Sequence, residues 1–438
     1  MRDLQRKLQP WFAKVLHSIA DQATSSGTNF VINVLLARWL SRTEYGAFSV
    51  ALSFSLVLAA FHNAMILEPM SVVGPAEYAS GLSNYLRLVN RLNWYAVVSL
   101  GGAAAVIGLF YRQMEVRSAL FTLAICLPGY LRLLTIRREQ YVVNHPIRAF
   151  RISLVYACVA AATLVFFRSV SWLSALTGLI CVGTALPVSL WADRRFSLSS
   201  IAADPSGIRP VARAHWTYGR WLFASAILAV GISEVQTILL SIFVDLKSAG
   251  ALRAMMNFIL PLSQLATVLS VYTLPRLAQQ MKTRGIAQGL RRAIVFPMLI
   301  TMLAVVYVAV LDFSGPALEH LLYNGKMAQY LKYLPLLCVA ALLSAIGAGF
   351  STLLRAAQNS QHQFVAGIAG TLVGIGAALF LLKPYGVAGA IVSMILANAA
   401  SSACIVVTYI VILRNQPASW TRALEGLFSE RPAAAAVD

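Results

Sequence analysis

From residue 14 to residue 413 the chain repeats one motif: a long apolar stretch, a short polar connection, another apolar stretch. A hydrocarbon core about 30 Å thick is crossed by about 20 apolar residues in a helix, and backbone groups inside it must bond within the protein. Unbroken apolar runs, rather than strict alternation, select helices over strands. The pattern predicts about twelve crossings, at 14–40, 46–69, 85–111, 118–137, 150–168, 171–192, 217–243, 248–274, 291–312, 329–355, 362–383 and 387–413. Almost no chain is left outside lipid, so function is expected between the helices.

Polar residues interrupt several spans with helical spacing. In the first, Ser18, Gln22, Ser25, Asn29 and Asn33 share one face at about 100° per residue, with Asp21 and Thr28 at its edge. In the eighth, Arg253, Asn257 and Gln264 share a face, and Pro261 is placed to kink the helix. Glu234 and Gln236 lie deep in the seventh, His62 and Asn63 in the second. Such groups are expensive in hydrocarbon, so they are expected to face a hydrated interior or to bond between helices.

Composition agrees with a membrane protein: 59% of residues are hydrophobic and only 12% charged, against about 25% in soluble domains. The net charge of +19 invites a nucleic-acid reading, but its distribution argues against one. With the N-terminus in the cytoplasm, that side receives twenty-five of the 35 Lys and Arg residues. This positive-inside bias, with attraction to anionic lipid, accounts for the excess. The five cysteines fall inside predicted spans without a CxxC pair, so neither a disulfide framework nor a metal site is expected. No cleavable signal is expected, because Arg2, Arg6 and Lys7 precede no compact apolar core.

The longest internal polar connection, 193–216, contains Asp204-Pro205-Ser206-Gly207 and divides the spans six and six. A weak echo supports two related halves: Tyr45-Gly46-Ala47-Phe48 opens the second span, Ala249-Gly250-Ala251-Leu252 the eighth, with Gly46 and Gly250 in register. The expected organisation is a basic amphipathic N-terminus (1–13), an N-lobe (14–192), a cytoplasmic linker (193–216), a C-lobe (217–413) and a cytoplasmic tail (414–438). Two similar halves fit transporters that rock one bundle against the other.

The charged residues in the spans have two readings each. Arg38 and Arg253, near outer helix ends, either snorkel to headgroups or line a cavity. Arg132 and Arg220, near cytoplasmic ends, carry the same alternatives and also serve topology. Asp21 and Glu234 either titrate in an ion-coupling step or pair with a nearby Arg. A membrane polymerase or ligase would need a large outer loop with catalytic residues. The segments 111–118 and 312–329 offer little beyond Glu115, Asp312, Glu319 and His320, so no enzyme and no cofactor are expected.

The stretch Ala20-Asp21-Gln22-Ala23-Thr24-Ser25-Ser26-Gly27-Thr28-Asn29-Phe30, continuing to Ala37-Arg38 and Tyr45-Gly46-Ala47-Phe48, resembles the opening of polysaccharide flippases. These belong to the multidrug, oligosaccharidyl-lipid and polysaccharide (MOP) exporter superfamily. Ala249-Gly250-Ala251-Leu252-Arg253-Ala254 with Pro261 and Leu274-Pro275-Arg276-Leu277 is similar to the start of that family's second half, and Leu322-Tyr323-Asn324-Gly325-Lys326 to its signature before the tenth helix.

The resemblance implies an all-α polytopic fold, two pseudo-symmetric six-helix lobes in a V around a central cavity. It implies an undecaprenyl-diphosphate-linked oligosaccharide as cargo, turned from the inner to the outer leaflet of a bacterial cytoplasmic membrane. Both termini would be cytoplasmic, membrane lipids would be partners, and a polysaccharide polymerase or export machinery would receive the product. On this reading Arg38 and Arg253, with Arg220 and Arg132, hold the diphosphate. Gln22, Ser25, Asn29, Asn33, Asn257 and Gln264 hold sugar hydroxyls. Lipid II flippases carry an Arg-Asp pair where Ile32 and Asn33 stand here and usually have fourteen helices; multidrug antiporters place a cation-binding Asp near Asn33. A multidrug/cation antiporter of the same superfamily is the alternative, leaving Asp21 and Glu234 as the coupling carboxylates.

Overall fold

A computed structural model describes residues 2–196, 207–284, 286–357 and 360–415; the side chains of 2–15, of several residues within 271–287, and of 360, 361 and 415 lie outside that description. The described residues are helical throughout, without a strand. The first helix, α1, spans Arg2–Trp39. The second crossing is α2 (Arg42–His62), a π-helical turn (Asn63–Leu67) and α3 (Glu68–Glu77). Then follow α4 (Leu82–Phe110), α5 (Met114–Val142), α6 (Pro146–Ser169) and the pair α7 (Ala175–Gly183) and α8 (Ala185–Phe196). The second half begins with α9 (Ile208–Ser233) and α10 (Val235–Phe243), then α11 (Leu246–Arg284), α12 (Ile286–Ala293), α13 (Val295–Tyr323), α14 (Leu334–Ala356) and α15 (Ser360–Asn415).

Nine of these stretches are long and apolar enough to cross a membrane. Helix α15 supplies two of the predicted crossings, because Gly386 (φ 54°, ψ −125°) breaks it just after Pro384. Only a residue without Cβ takes that backbone at little cost. The bent pair α9–α10 is a tenth stretch if taken as one span, and α1, expected as the first crossing, is less apolar than the rest.

Packing repeats between the halves. α1 lies on α6, α4 on α5, and α5 on α2, α7 and α8. Correspondingly α9 lies on α15, α13 on α14, and α14 on α11 and α15. The halves meet chiefly where α2 crosses α11, and where α9 rests on the π-turn, α3 and α4. At the first crossing Gly46 and Gly250, in register in the sequence, bring the backbones together. A Cβ on Gly46 would sit 1.9 Å from the Leu246 carbonyl oxygen, and one on Gly250 3.0 Å from the Gly46 nitrogen.

Several boundaries depart from the expected ones. The seventh span is not a single rod: α9 and α10 meet at 51° around Glu234, whose backbone leaves regular helix at φ −102°. The expected outer segment 312–329 is mostly helix, since α13 runs on to Tyr323. It is closed by two left-handed residues, Asn324 (φ 56°) and Gly325 (φ 80°), types that tolerate this conformation. α11 continues through Pro261 as one helix. The expected amphipathic N-terminus is continuous with α1 in its backbone, and its side chains lie outside the described residues. The linker shrinks from both ends, as α8 reaches Phe196 and α9 starts at Ile208; residues 197–206 and the tail from 416 lie outside the described residues.

Candidate functional site: a cavity between the halves

Both halves contribute to one cavity of about 770 Å³. From the first come Asn29 and Asn33 of α1, Phe48 and Ser55 of α2, and Tyr130 of α5. From the second come Glu234, then Arg253, Asn257, Gln264 and Ser270 of α11, Arg355 of α14 and Asn398 of α15. Along α14 and α11 the cavity reaches from the middle of the bundle toward the end where α1 begins, called here the basic end. At the opposite end it is roofed by the Gly46–Gly250 crossing.

The roof is polar and spans the seam. Asn33 Nδ2 donates to Asn257 Oδ1 (2.9 Å), and the Tyr45 hydroxyl donates to Asn33 Oδ1 (2.8 Å). Asn257 Nδ2 donates to the Tyr323 hydroxyl (3.1 Å), which donates to the Ala254 carbonyl (2.9 Å). Asn33 and Asn257 are 5% and 3% exposed, so their amides need these partners. Interhelical side-chain bonds in membranes average about 0.6 kcal/mol each. Asn33→Ala, which breaks two, is expected to lower stability by about 1 kcal/mol, seen as a lower unfolding midpoint in detergent; an unchanged midpoint would show the roof contributes nothing.

Among the described residues the charges in the lining are Arg253, Arg355 and one carboxylate, Glu234. Arg253 Nη1 donates to Glu234 Oε2 at 3.0 Å, each side chain 11% exposed. The bend between α9 and α10 brings Glu234 to this wall. Arg253 Nε is buried without a hydrogen-bond partner, so the guanidinium keeps an unused donor. Arg355 is exposed to the cavity and donates to Thr352 Oγ1 (3.2 Å), itself a donor to Ser270 Oγ (3.0 Å).

Of the residues singled out in the sequence, the fold brings Asn29, Asn33, Glu234, Arg253, Asn257 and Gln264 together at the cavity. The polar row of the first helix divides. Asn29 (donating to Tyr130 Oη, 3.2 Å) and Asn33 face the cavity, while Ser25 accepts from Arg137 Nη1 (2.7 Å) within the first half. Gln22 is exposed and bonds only Ser26, one turn on. The row is one face in angle, but α1 lies against α6 along one part and borders the cavity along the other. Asp21 is fully buried away from the cavity, bound by Arg137 Nε (3.2 Å) and Nη2 (2.9 Å) and by the hydroxyls of Tyr141 and Ser153.

The other expected diphosphate ligands also stand elsewhere. Arg132, 1% exposed, is held by Asp193 through Nε (2.9 Å) and Nη2 and donates to Asn90 Oδ1 (2.6 Å). Arg220 is exposed, near the ring of Trp221. Arg38 donates to the Leu321 carbonyl (3.0 Å), bridging the halves at the end opposite the basic one. Arg355, Arg137 and Tyr130 carried no expectation as site residues, and Tyr45 and Tyr323 entered only as members of the motifs that carry the resemblance. No spacing rule marks them, because their partners are distant in the chain.

No family profile and no curated protein matches the sequence. Helices, packing and cavity together define a multi-pass membrane protein with the fold of the MOP-superfamily transporters. An inward-facing multidrug resistance MATE family transporter of that superfamily superposes with a TM-score of 0.75 at 12% identity, covering 92% of this chain and 100% of its own. The lipid II flippase MurJ, inward closed, gives 0.71 at 13% identity over 95% of this chain and 93% of its own. The eukaryotic MATE transporter AtDTX14 gives 0.66 at 18%, over 91% and 94%.

Proposed function

We propose that the protein turns an undecaprenyl-diphosphate-linked oligosaccharide from the inner to the outer leaflet of a bacterial cytoplasmic membrane by alternating access. The observation that carries this reading is the set of polar groups in an otherwise largely apolar lining: among the described residues, five amides, several hydroxyls and two arginines against one carboxylate. A diphosphate and its sugars carry negative charge and many hydroxyls, which hydrocarbon cannot solvate. Amide groups offer both donors and acceptors to hydroxyls, and arginine presents a planar fork to phosphate. Arg253 and Arg355 are the cationic candidates; Asn29, Asn33, Asn257 and Gln264 are those for sugar. The basic end is cytoplasmic on this reading, both termini with it, and the cavity is open to that side. The released glycolipid would pass to a polysaccharide polymerase or export machinery.

The rival, multidrug/cation antiport, is supported by the likeness to MATE transporters. It fits the lining less well, since Arg253 already neutralises the one cavity carboxylate and Arg137 neutralises Asp21. Reconstitution in proteoliposomes separates the two. A fluorescently tagged undecaprenyl-diphosphate oligosaccharide is expected to become accessible to an impermeant quencher only when the protein is present. Gradient-driven dye uptake without glycolipid exposure would replace the flippase by the antiporter.

A further inference from the structure

At the end opposite the basic one, four cations converge on the seam between the halves. From the first half come Arg38 and Arg42, flanking the α1–α2 turn, and Arg168 in the last turn of α6; from the second comes Lys326, just after the left-handed Asn324-Gly325 turn. Reciprocal bonds hold the seam shut. Arg42 Nη2 donates to the Lys326 carbonyl (2.8 Å), Lys326 Nζ to the Leu40 carbonyl (2.9 Å), and Arg38 Nη1 to the Leu321 carbonyl (3.0 Å). Arg168 donates no side-chain hydrogen bond among the described residues; its guanidinium lies 5.6 Å from the Trp39 ring.

Among the described residues none of these four side chains is in an ion pair; the pairs there are Arg132–Asp193, Arg137–Asp21, Arg138–Glu68 and Arg253–Glu234. Three carboxylates at this end each accept a backbone N–H: Glu44 from Ala175 (2.6 Å), Glu319 from Met327 (2.7 Å) and Asp245 from Ser248 (2.6 Å). Lys326's ammonium is pushed below the usual lysine range, first by burial and then by the Arg168 and Arg42 charges, which places all three in one electrostatic neighbourhood. Carbonyl oxygens carry only partial charge, so closing the seam concentrates repelling cations while leaving most guanidinium donors unused.

We propose that Arg38, Arg42, Arg168 and Lys326 form a binding site for a phosphate-type oxyanion that bridges the two halves when this end of the bundle is closed. The non-bridging oxygens of a tetrahedral phosphate, two in a phosphodiester and three in the hydrogen phosphate dianion, match forked donors converging from both sides. Such an anion relieves the repulsion and is lost when the seam opens, because Lys326 leaves with the second half. The site is independent of the cargo the central cavity takes. Its anion is either a phospholipid headgroup or free phosphate.

The test uses the full-length protein with its native cysteines replaced and a cysteine at Leu40, a seam residue 4% exposed. Labelling by an impermeant maleimide then reports seam opening. In detergent, inorganic phosphate is titrated against sodium chloride of equal ionic strength. In nanodiscs, phosphatidylglycerol is compared with phosphatidylcholine. Slowing at least fivefold by phosphate in detergent identifies a free oxyanion, and slowing by phosphatidylglycerol alone identifies a headgroup; either supports the site. Arg168→Gln, which breaks no seam hydrogen bond, is expected to weaken the response at least tenfold, and Arg253→Gln in the central cavity to leave it intact. Arg168→Glu, supplying its own anion, is expected to label slowly without phosphate or phosphatidylglycerol. Equal slowing by chloride, no slowing by either anion source, or a full response in Arg168→Gln would overturn the proposal.

Discussion

Arg253→Gln is expected to reach the membrane in normal amounts and to move lipid-linked oligosaccharide ten- to a hundredfold more slowly than the unaltered protein. A hydrogen bond to a charged group is worth about 1.5–3 kcal/mol, and each 1.4 kcal/mol is a factor of about ten in rate. The same substitution strands Glu234, whose one ion-pair partner among the described residues is Arg253 at 3.0 Å. Breaking a buried pair on one side costs about 3–5 kcal/mol, and cavity water brings this toward the lower figure. The two effects separate in the double variant Glu234→Gln, Arg253→Gln, which removes both charges. Its unfolding midpoint should return close to that of the unaltered protein while translocation stays slow. If the double variant recovers transport as well as stability, Arg253 serves only to neutralise Glu234 and has no part in holding the headgroup.

The second large effect is expected at the helix crossing. Gly46→Val places a branched side chain where even a Cβ would meet the Leu246 carbonyl oxygen at 1.9 Å and its carbon at 2.6 Å. Backbone cannot turn aside as a flexible side chain does. Overpacking of this kind costs about 1–3 kcal/mol and more where nothing yields. The clash exists only while α2 and α11 are in contact, so the penalty falls on the closed arrangement of this end. The variant should label faster at a Leu40 cysteine, and transport should drop at least tenfold, since a cycle needs both arrangements. Gly250→Ala, whose nearest contact is 3.0 Å, should be milder. Unaltered labelling in Gly46→Val would mean that the crossing is not what closes this end.

Much of this architecture was legible in the chain. Apolar run length gave the crossings because the bilayer imposes one thickness on all of them. The polar pattern drew attention to Asn29, Asn33, Asn257 and Gln264, and the echo around Gly46 and Gly250 marked two positions that meet across the halves. Pro384 and Gly386 stood between the last two spans, where the chain turns. The arginines were another matter. Arg132 read as a diphosphate ligand that also serves topology, yet it is 1% exposed and held by Asp193; Arg137, 8% exposed, is held by Asp21. Arg38 read as a headgroup ligand and instead ties the seam through the Leu321 carbonyl. Arg355, in the last turn of α14, borders the cavity.

The sequence by itself determined that this is a helical, multiply crossing protein with a polar interior, because hydrophobic length and helical period are local properties of the chain. Only the tertiary structure decided which charges face the cavity, which neutralise one another and which guard the seam. Asp21 and Arg137 are 116 residues apart, Asn33 and Asn257 are 224, and Arg42 and Lys326 are 284. A buried charge has its energy set by the few groups within several ångströms of it, and in a folded bundle those groups come from distant helices.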